Sequence, residues 1–279
     1  MARIGTLMTL LIVATLVNLG IASRGHSEDA SLGMRFPFTS VWKGRRDSRA
    51  YQKEAEFAKK VLPQFPTMRA HAIAECPSIA TIYYRIFDNL LAANKLQAVG
   101  PYSQLGLYFS CLRGTSAWAE AKHGGFVRFG YQILALANSD DEIAIAIAHE
   151  IGHLLQGDPV AEYGFDPHDS EFGADEIGTK LVANAGYDPT ALYDLGCKHA
   201  ASRDSRFSWL PCWIIEGMAS TDTDSHGTSA ERLNHINAVM KAIGYQRPGQ
   251  RTISPEFAAA KAEVACLEKR QPFNCQSPK

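Results

Sequence analysis

The stretch DEIAIAIAHEIGHLL, Asp141–Leu155, constrains this 279-residue chain more than any other. At its heart stands His149-Glu150-Ile151-Gly152-His153. In an α-helix, residues four apart leave the same face, about 40° apart around the axis and roughly 6 Å along it. Two imidazoles so placed can close on one cation. Glu150, about 100° to the side, is set to take a proton from a water rather than to ligate. Ser139 followed by Glu142 reads as a capping box, and Gly157 followed by Pro159 as a stop. The alternation Ile143-Ala144-Ile145-Ala146-Ile147 has the period of a strand. Length and caps nevertheless predict a helix, apolar nearly all round and therefore buried. Two His and a Glu on a buried helix need partners, and zinc is the simplest one.

The residues after His153 narrow the choice. A metzincin continuation requires Gly three residues on and His three beyond that; Gln156 and Pro159 stand there instead. The alternative third ligand is a Glu from a second helix, and Ser170–Gly178 supplies the candidate. Its apolar stripe Ala174, Ile177, Leu181, Ala185 has helical spacing. Glu171 extends the stripe inward, while Glu176 turns to water. Asp175 lies on the same inward side, placed to accept the outer N–H of a ligand histidine and fix its tautomer. Gly173 and Gly178 weaken a helix by up to about 1 kcal/mol each, a cost that close packing against the first helix would explain. The loop Gly157–Asp169 carries Asp158, Glu162, Asp166, His168 and Asp169 and is long for a connection. His168 reads as an exposed residue at a helix start rather than a ligand.

These motifs resemble the HtpX and CAAX-prenyl-protease family of zinc endopeptidases, peptidase family M48. His-Glu-Ile-Gly-His is followed in the right order by Glu171-Phe172-Gly173-Ala174-Asp175. Gly124-Gly125-Phe126-Val127-Arg128-Phe129 is similar to the family's Gly-Gly strand before the zinc helix, and Ala185-Gly186-Tyr187-Asp188-Pro189 to its turn after the second helix. Ser225-His226 with Glu231-Arg232-Leu233 looks like its late Ser-His-Pro…Glu-Arg-Ile element, with Gly227 in place of Pro. The likeness spans roughly residues 70–245. It implies a zinc ion held by His149, His153 and Glu171, with Glu150 as the general base. It also implies His226 as a stabiliser of the transition state or a gate on the metal, and an α+β, mostly helical, gluzincin-type domain with a small sheet beside the zinc helix. Arg232 is expected to tie its helix to a carboxylate. Gly125 to Phe129 reads as an edge strand that takes an extended polypeptide substrate by backbone pairing, through Gly125, Phe126 and Val127, or else as an inner strand.

Residues 1–23 read as a targeting segment: Arg3, an apolar run Leu7–Leu19, then small residues with cleavage after Ala22 or Ser23. The same run, taken from Ile4 to Ala22, is nearly long enough to remain as a membrane anchor. Either way the body is exported, periplasmic or extracellular. Residues 24–48, with the basic cluster Lys43, Arg45, Arg46 that continues to Arg49, read as a solvated linker, and 49–279 as the peptidase domain. A net charge of −1 gives no reason to expect nucleic acid. Six cysteines fit an oxidising compartment. Fifteen pairings are possible. Cys266–Cys275, in a C-terminal extension over 246–279, and Cys197–Cys212 are the short loops, which leaves Cys76 with Cys111.

In the body, Arg49–Val61 reads as a helix stopped by Pro63, and Pro77 opens another with Ile79, Ile82, Tyr83, Ile86 and Leu90 on one face. Leu105–Leu112, Ser116–Ala121 and Gly125–Phe129 read as strands. Helices are expected at Thr190–Ala200, at Thr228–Ile243 and from Pro255 onward. The function expected is a zinc-dependent endopeptidase acting on exported or membrane-associated proteins. The competing reading is a zinc-stabilised, chaperone-like binding module.

Overall fold

The computed structural model describes residues 48–111, 119–158, 167–195, 198, 229–246 and 250–269. The chain divides into the units Met1–Met34 and Arg35–Lys279, and every described residue belongs to the second. The expected leader, most of the linker, His226, Gly227 and three cysteines (Cys197, Cys212 and Cys275) lie outside the described residues.

Helix α1, Arg49–Val61, begins where the Ser48 hydroxyl accepts the Tyr51 N–H. Helix α1 ends at Val61 as expected, and Pro63 follows two residues later. It sits in the 3-10 turn Leu62–Gln64, and the chain runs straight into α2, Phe65–Glu75, with Pro66 in its first turn. A proline there forfeits no helical hydrogen bond and has its φ already set, so Pro66 fits the opening of the next helix. Helix α3, Pro77–Ala93, buries the expected stripe of Ile79, Ile82, Tyr83, Ile86 and Leu90 completely. Cys76, at the joint between α2 and α3, is bridged to Cys111 across a sequence separation of 35, with the Cα atoms 6.4 Å apart. Closing such a loop stabilises a fold by about 2–4 kcal/mol. Cys266 is also disulfide-bonded.

Strands β1 (Gly106–Ser110), β2 (Ala119–Lys122) and β3 (Phe126–Gly130) form one sheet in the order β1-β3-β2. β1 runs parallel to β3, and β2 antiparallel to it. The order corrects an expectation. The Gly125–Val127 stretch is not an edge: β3 is paired on both sides, Val127 with Leu107 and with Ala121, so its backbone has no free row for a peptide. A tight turn through Gly124 (φ 93°) and Gly125 (φ 78°) folds β2 back on one flank, and β1 closes the other. A Cβ on Gly125 would lie 2.6 Å from the Tyr102 ring, so the second glycine is required by space as well as by φ. Leu107, Phe109, Val127 and Phe129 are buried in the core.

Short helix α4, Gln132–Leu136, leads to α5, Asp140–Gln156, which carries the two histidines. Ile143, Ile145, Ile147, Ile151, Leu154 and Leu155 are all at zero exposure around its circumference. Only a helix buried on every side can carry that pattern, and the strand-like alternation is overridden by its surroundings. At its start Ser139 accepts the Glu142 N–H at 3.3 Å. The Glu142 carboxylate takes the N–H of Asn138 rather than of Ser139 (3.2 Å) and meets Lys198. The expected capping box is therefore displaced by one residue. Gly157, left-handed at φ 83°, ends the helix.

The remaining helices are α6 (Pro167–Asn184), α7 (Ser229–Ala242) and α8 (Pro255–Glu268), and residues 191–195 are also helical. Asp140 and Asp141 pin distant chain to the start of α5. Asp141 accepts the N–H groups of Asp188 (2.9 Å) and Thr252 (2.5 Å), and Asp140 that of Ser254 (2.7 Å). Carboxylates at that end also meet the positive pole of the helix. Helices around a small sheet make the fold α+β, as expected. Among the described residues no helix is long and apolar enough to cross a membrane.

Helices α5 and α6 touch backbone to backbone. A Cβ on Gly152 would stand 2.7 Å from the Ala174 carbonyl oxygen and 2.9 Å from its Cα; one on Gly178 would stand 3.1 Å from the His149 nitrogen. Gly152→Ala is therefore expected to force the helices apart and lower stability by about 1–3 kcal/mol, and Gly178→Ala by less. Urea denaturation of both variants checks the order.

Candidate metal centre

The α5–α6 contact sets the geometry of the site. His149 and His153 leave α5 one turn apart and turn their rings edge to face, at 88° with centroids 4.7 Å apart. Their Nε2 atoms stand 3.1 Å from each other. Glu171, on the first half of α6, brings Oε2 to 3.2 Å from His149 Nε2 and Oε1 to 3.6 Å from His153 Nε2. One ligand atom from each of the three residues lies within 4.8 Å of the others, an arrangement that can hold a metal ion. The donor set fits a divalent cation. Two nitrogens and a carboxylate face one point, and both imidazoles are turned so that the same nitrogen, Nε2, points inward.

That orientation has a cause at the far side of each ring. Nδ1 of His149 is 2.9 Å from Asp175 Oδ1, and Nδ1 of His153 is 2.7 Å from Asp158 Oδ2. In the neutral rings that a cation requires, an Nδ1–H donated to each carboxylate would leave each Nε2 as a lone pair aimed at the shared point. Asp175 stands where the spacing placed it. Asp158 was legible only as one acid among several in the loop after α5. It is held by the Ser170 hydroxyl (2.5 Å) and lies one residue beyond the Gly157 cap. Its signal, an acid at the first position after a left-handed helix end that carries a His four residues before it, is recognisable only once the cap is known.

Arg232 on α7 grips Asp175 with two nitrogens, Nε to Oδ2 at 2.6 Å and a terminal nitrogen to Oδ1 at 2.7 Å, and reaches Glu171 at 3.4 Å. It ties its helix to a carboxylate, as its position suggested. Burial alone would discharge this group of ions. It pushes the Glu150 carboxyl up, and the Ala121 amide of β2 and the two histidines only partly oppose it. For His149, burial disfavours the charge, but the bonds with Asp175 and Glu171 prevail and raise its pKa to about 10. Glu171 and Asp175 resist the same burial penalty, because His149 and Arg232 beside them hold both carboxyls well below the usual range.

Phe126 and Val127 lie in the central strand, and Gly125 lies in the turn before it, where its carbonyl accepts the Gly106 N–H. The structure does bring β2 to α5, with the Ala121 amide at Glu150.

Residues 111–166 match the model of peptidase family M48. Over that stretch the chain is similar to M48 metallopeptidases. The M48 stretch takes in β2, β3 and the whole of α5 with His149, Glu150 and His153, and it stops short of Glu171. The third ligand atom is thus brought to the pair by the geometry of α6, outside the matched stretch. The M48 family implies metallopeptidase activity and dependence on a metal ion. No curated protein matches the chain.

Arg232→Ala would leave Asp175, which is fully buried, without its cation. Removing one partner of a buried pair costs about 3 kcal/mol or more, read as a loss in thermal and urea stability. The pH dependence has a definite sign. The folded pKa of Asp175 lies below its ordinary 3.8, so its contribution is present above pH ~4 and drains away as pH falls further. Urea midpoints of the chelated protein between pH 2.5 and 6 should show that acid limb, and Arg232→Ala should flatten it.

Proposed function

We propose that the protein is a zinc endopeptidase that hydrolyses peptide bonds in exported or membrane-associated polypeptides, in the manner of envelope quality control. The observation that carries the reading is the convergence of two oriented Nε2 atoms and the Glu171 carboxylate on one point, with Glu150 beside them. Zinc suits two imidazoles and one carboxylate, a set that leaves a fourth position open. When bound, the ion supplies Lewis acidity to the reacting oxygens. The remaining steps belong to side chains of the chain itself. Glu150 takes the proton of the attacking water and returns it to the leaving amine as the C–N bond breaks. Asp175 and Asp158 keep the imidazoles turned inward throughout, and Arg232 keeps Asp175 and Glu171 charged. His226 is assigned, by its likeness to the M48 late motif, to the developing oxyanion.

Substrate alignment falls to β2 rather than β3. Among the described residues the outer edge of β2 pairs with no strand, and its Ala121 amide stands at Glu150. An extended peptide laid along that edge gains backbone hydrogen bonds and brings one carbonyl to the site. Residues 1–23 are assigned to export, cleaved or kept as an anchor, and the oxidising compartment this implies suits the Cys76–Cys111 bridge.

The test is metal analysis combined with cleavage of unfolded casein. Glu150→Gln should keep one zinc per chain and lose about 10²-fold or more of the rate. Glu171→Gln should lose the zinc itself. Chelation should abolish cleavage, and added zinc should restore it. Equal rates from Glu150→Gln and the wild type would end the assignment of the base.

A further inference from the structure

We propose that the β2 edge selects substrates carrying an acidic side chain beside Lys122. This rests on the peptidase reading and on β2 as the strand that aligns the peptide. It adds the chemical class of residue the site takes next to the reacting bond.

The argument starts from the two faces of the sheet. Registers Leu107–Val127–Ala121 and Phe109–Phe129–Ala119 put those side chains on one face, where Leu107, Phe109, Val127 and Phe129 are buried. Side chains alternate along a strand, so Tyr108–Arg128–Glu120 and Gly106–Phe126–Lys122 form two rows on the other face. An added strand at the β2 edge extends each row by one substrate residue, in either chain direction. The substrate residue beside Ala121 points to the inner face. Its two neighbours, one on each side, extend the rows that end in Glu120 and Lys122. Since the Ala121 amide stands at Glu150, these neighbours lie close to the reacting carbonyl.

The charges on those rows do not cancel. Arg128 pairs with Glu120 directly across the β2–β3 ladder, and Lys122 leans on the same carboxylate. Two cations thus share one anion, with a net charge of one positive. Glu120 and Arg128 are mostly covered, and Lys122 is the most open of the three, with 39% of its side chain exposed. Behind Lys122 its row is apolar, with Phe126 packed on Phe65 at 5.3 Å between ring centroids. A substrate side chain beside Lys122 therefore meets an ammonium group that shares its carboxylate with a guanidinium. A carboxylate there gains a partner, and an ammonium meets a like charge.

The experiment uses quenched decapeptides that differ at a single position, Glu, Gln or Lys, scanned across the scissile bond and assayed with the zinc-loaded protein. At a position next to the one beside Ala121, kcat/KM should rank Glu over Gln over Lys, with about fivefold between the extremes. The effect should lie mainly in KM and shrink as salt is raised. In Lys122→Glu the ranking should invert. Each ratio is taken within one protein, so a general loss of activity does not imitate it. No ranking at any position, or a ranking that survives Lys122→Glu, overturns the proposal. Cleavage of no peptide would defeat the hydrolase reading separately. In that event, fluorescence anisotropy with zinc-loaded Glu150→Gln protein decides: Glu peptides binding more tightly than Lys peptides support the preference, and equal binding overturns it.

Discussion

The structure depends on the contact between α5 and α6, where glycine lets one backbone rest on another. On α6, Ala174, Asp175 and Gly178 stand three, four and seven residues after Glu171 and so share one stripe. Gly178 lies against His149, Ala174 lies against Gly152, and between them the stripe sends Glu171 and Asp175 to the histidines. The packing and the chemistry use the same row of residues. From this row the Glu171 carboxylate meets both Nε2 atoms, at 3.2 and 3.6 Å.

The burial that this contact brings creates an electrostatic problem, and the surrounding charges answer it. Asp175 is fully buried, and His149, Glu150 and Glu171 are nearly so. Each would be driven neutral if alone. Arg232 arrives from a helix more than fifty residues away and binds Asp175 through two nitrogens, so Asp175 can stay ionised and hold His149. The arrangement is a chain from guanidinium to carboxylate to imidazole, ending at the shared point. Each link fixes the orientation of the next, so the ligand atoms are set by hydrogen bonds that form when the protein folds.

Much of this was legible because helical periodicity is local. The His149–His153 face, the inward turn of Glu171 and the place of Asp175 all come from counting along a helix, and so does the stripe on α3. The strand order does not. That β3 lies between β1 and β2 depends on β1 pairing in parallel from a distance in sequence, which the alternation within Gly125–Phe129 cannot express. Proline was legible in part: α1 does end before Pro63, but α2 opens at once through Pro66. Pro63 and Pro66 break hydrogen bonds in mid-helix but fit the first turn of one, and the sequence around them does not say which applies. The carboxylate of Glu142 meets Asn138 and Lys198 because a charge from distant chain competes with the local cap.

Asp158 shows how a backbone angle can determine a ligand. Its carboxylate anchors His153, and the reach is possible because the chain leaves α5 through Gly157 in the left-handed region, at φ 83°. That conformation turns the next residue back towards the last turn of the helix, where His153 stands, and lets the Ser170 hydroxyl brace it from α6. A residue with a Cβ at position 157 would strain that turn and would reach the metal centre through Asp158 without touching any ligand. The helix cap is therefore part of the site. The two histidines are held by different means: His149 by an acid on the neighbouring helix, and His153 by an acid on the end of its own.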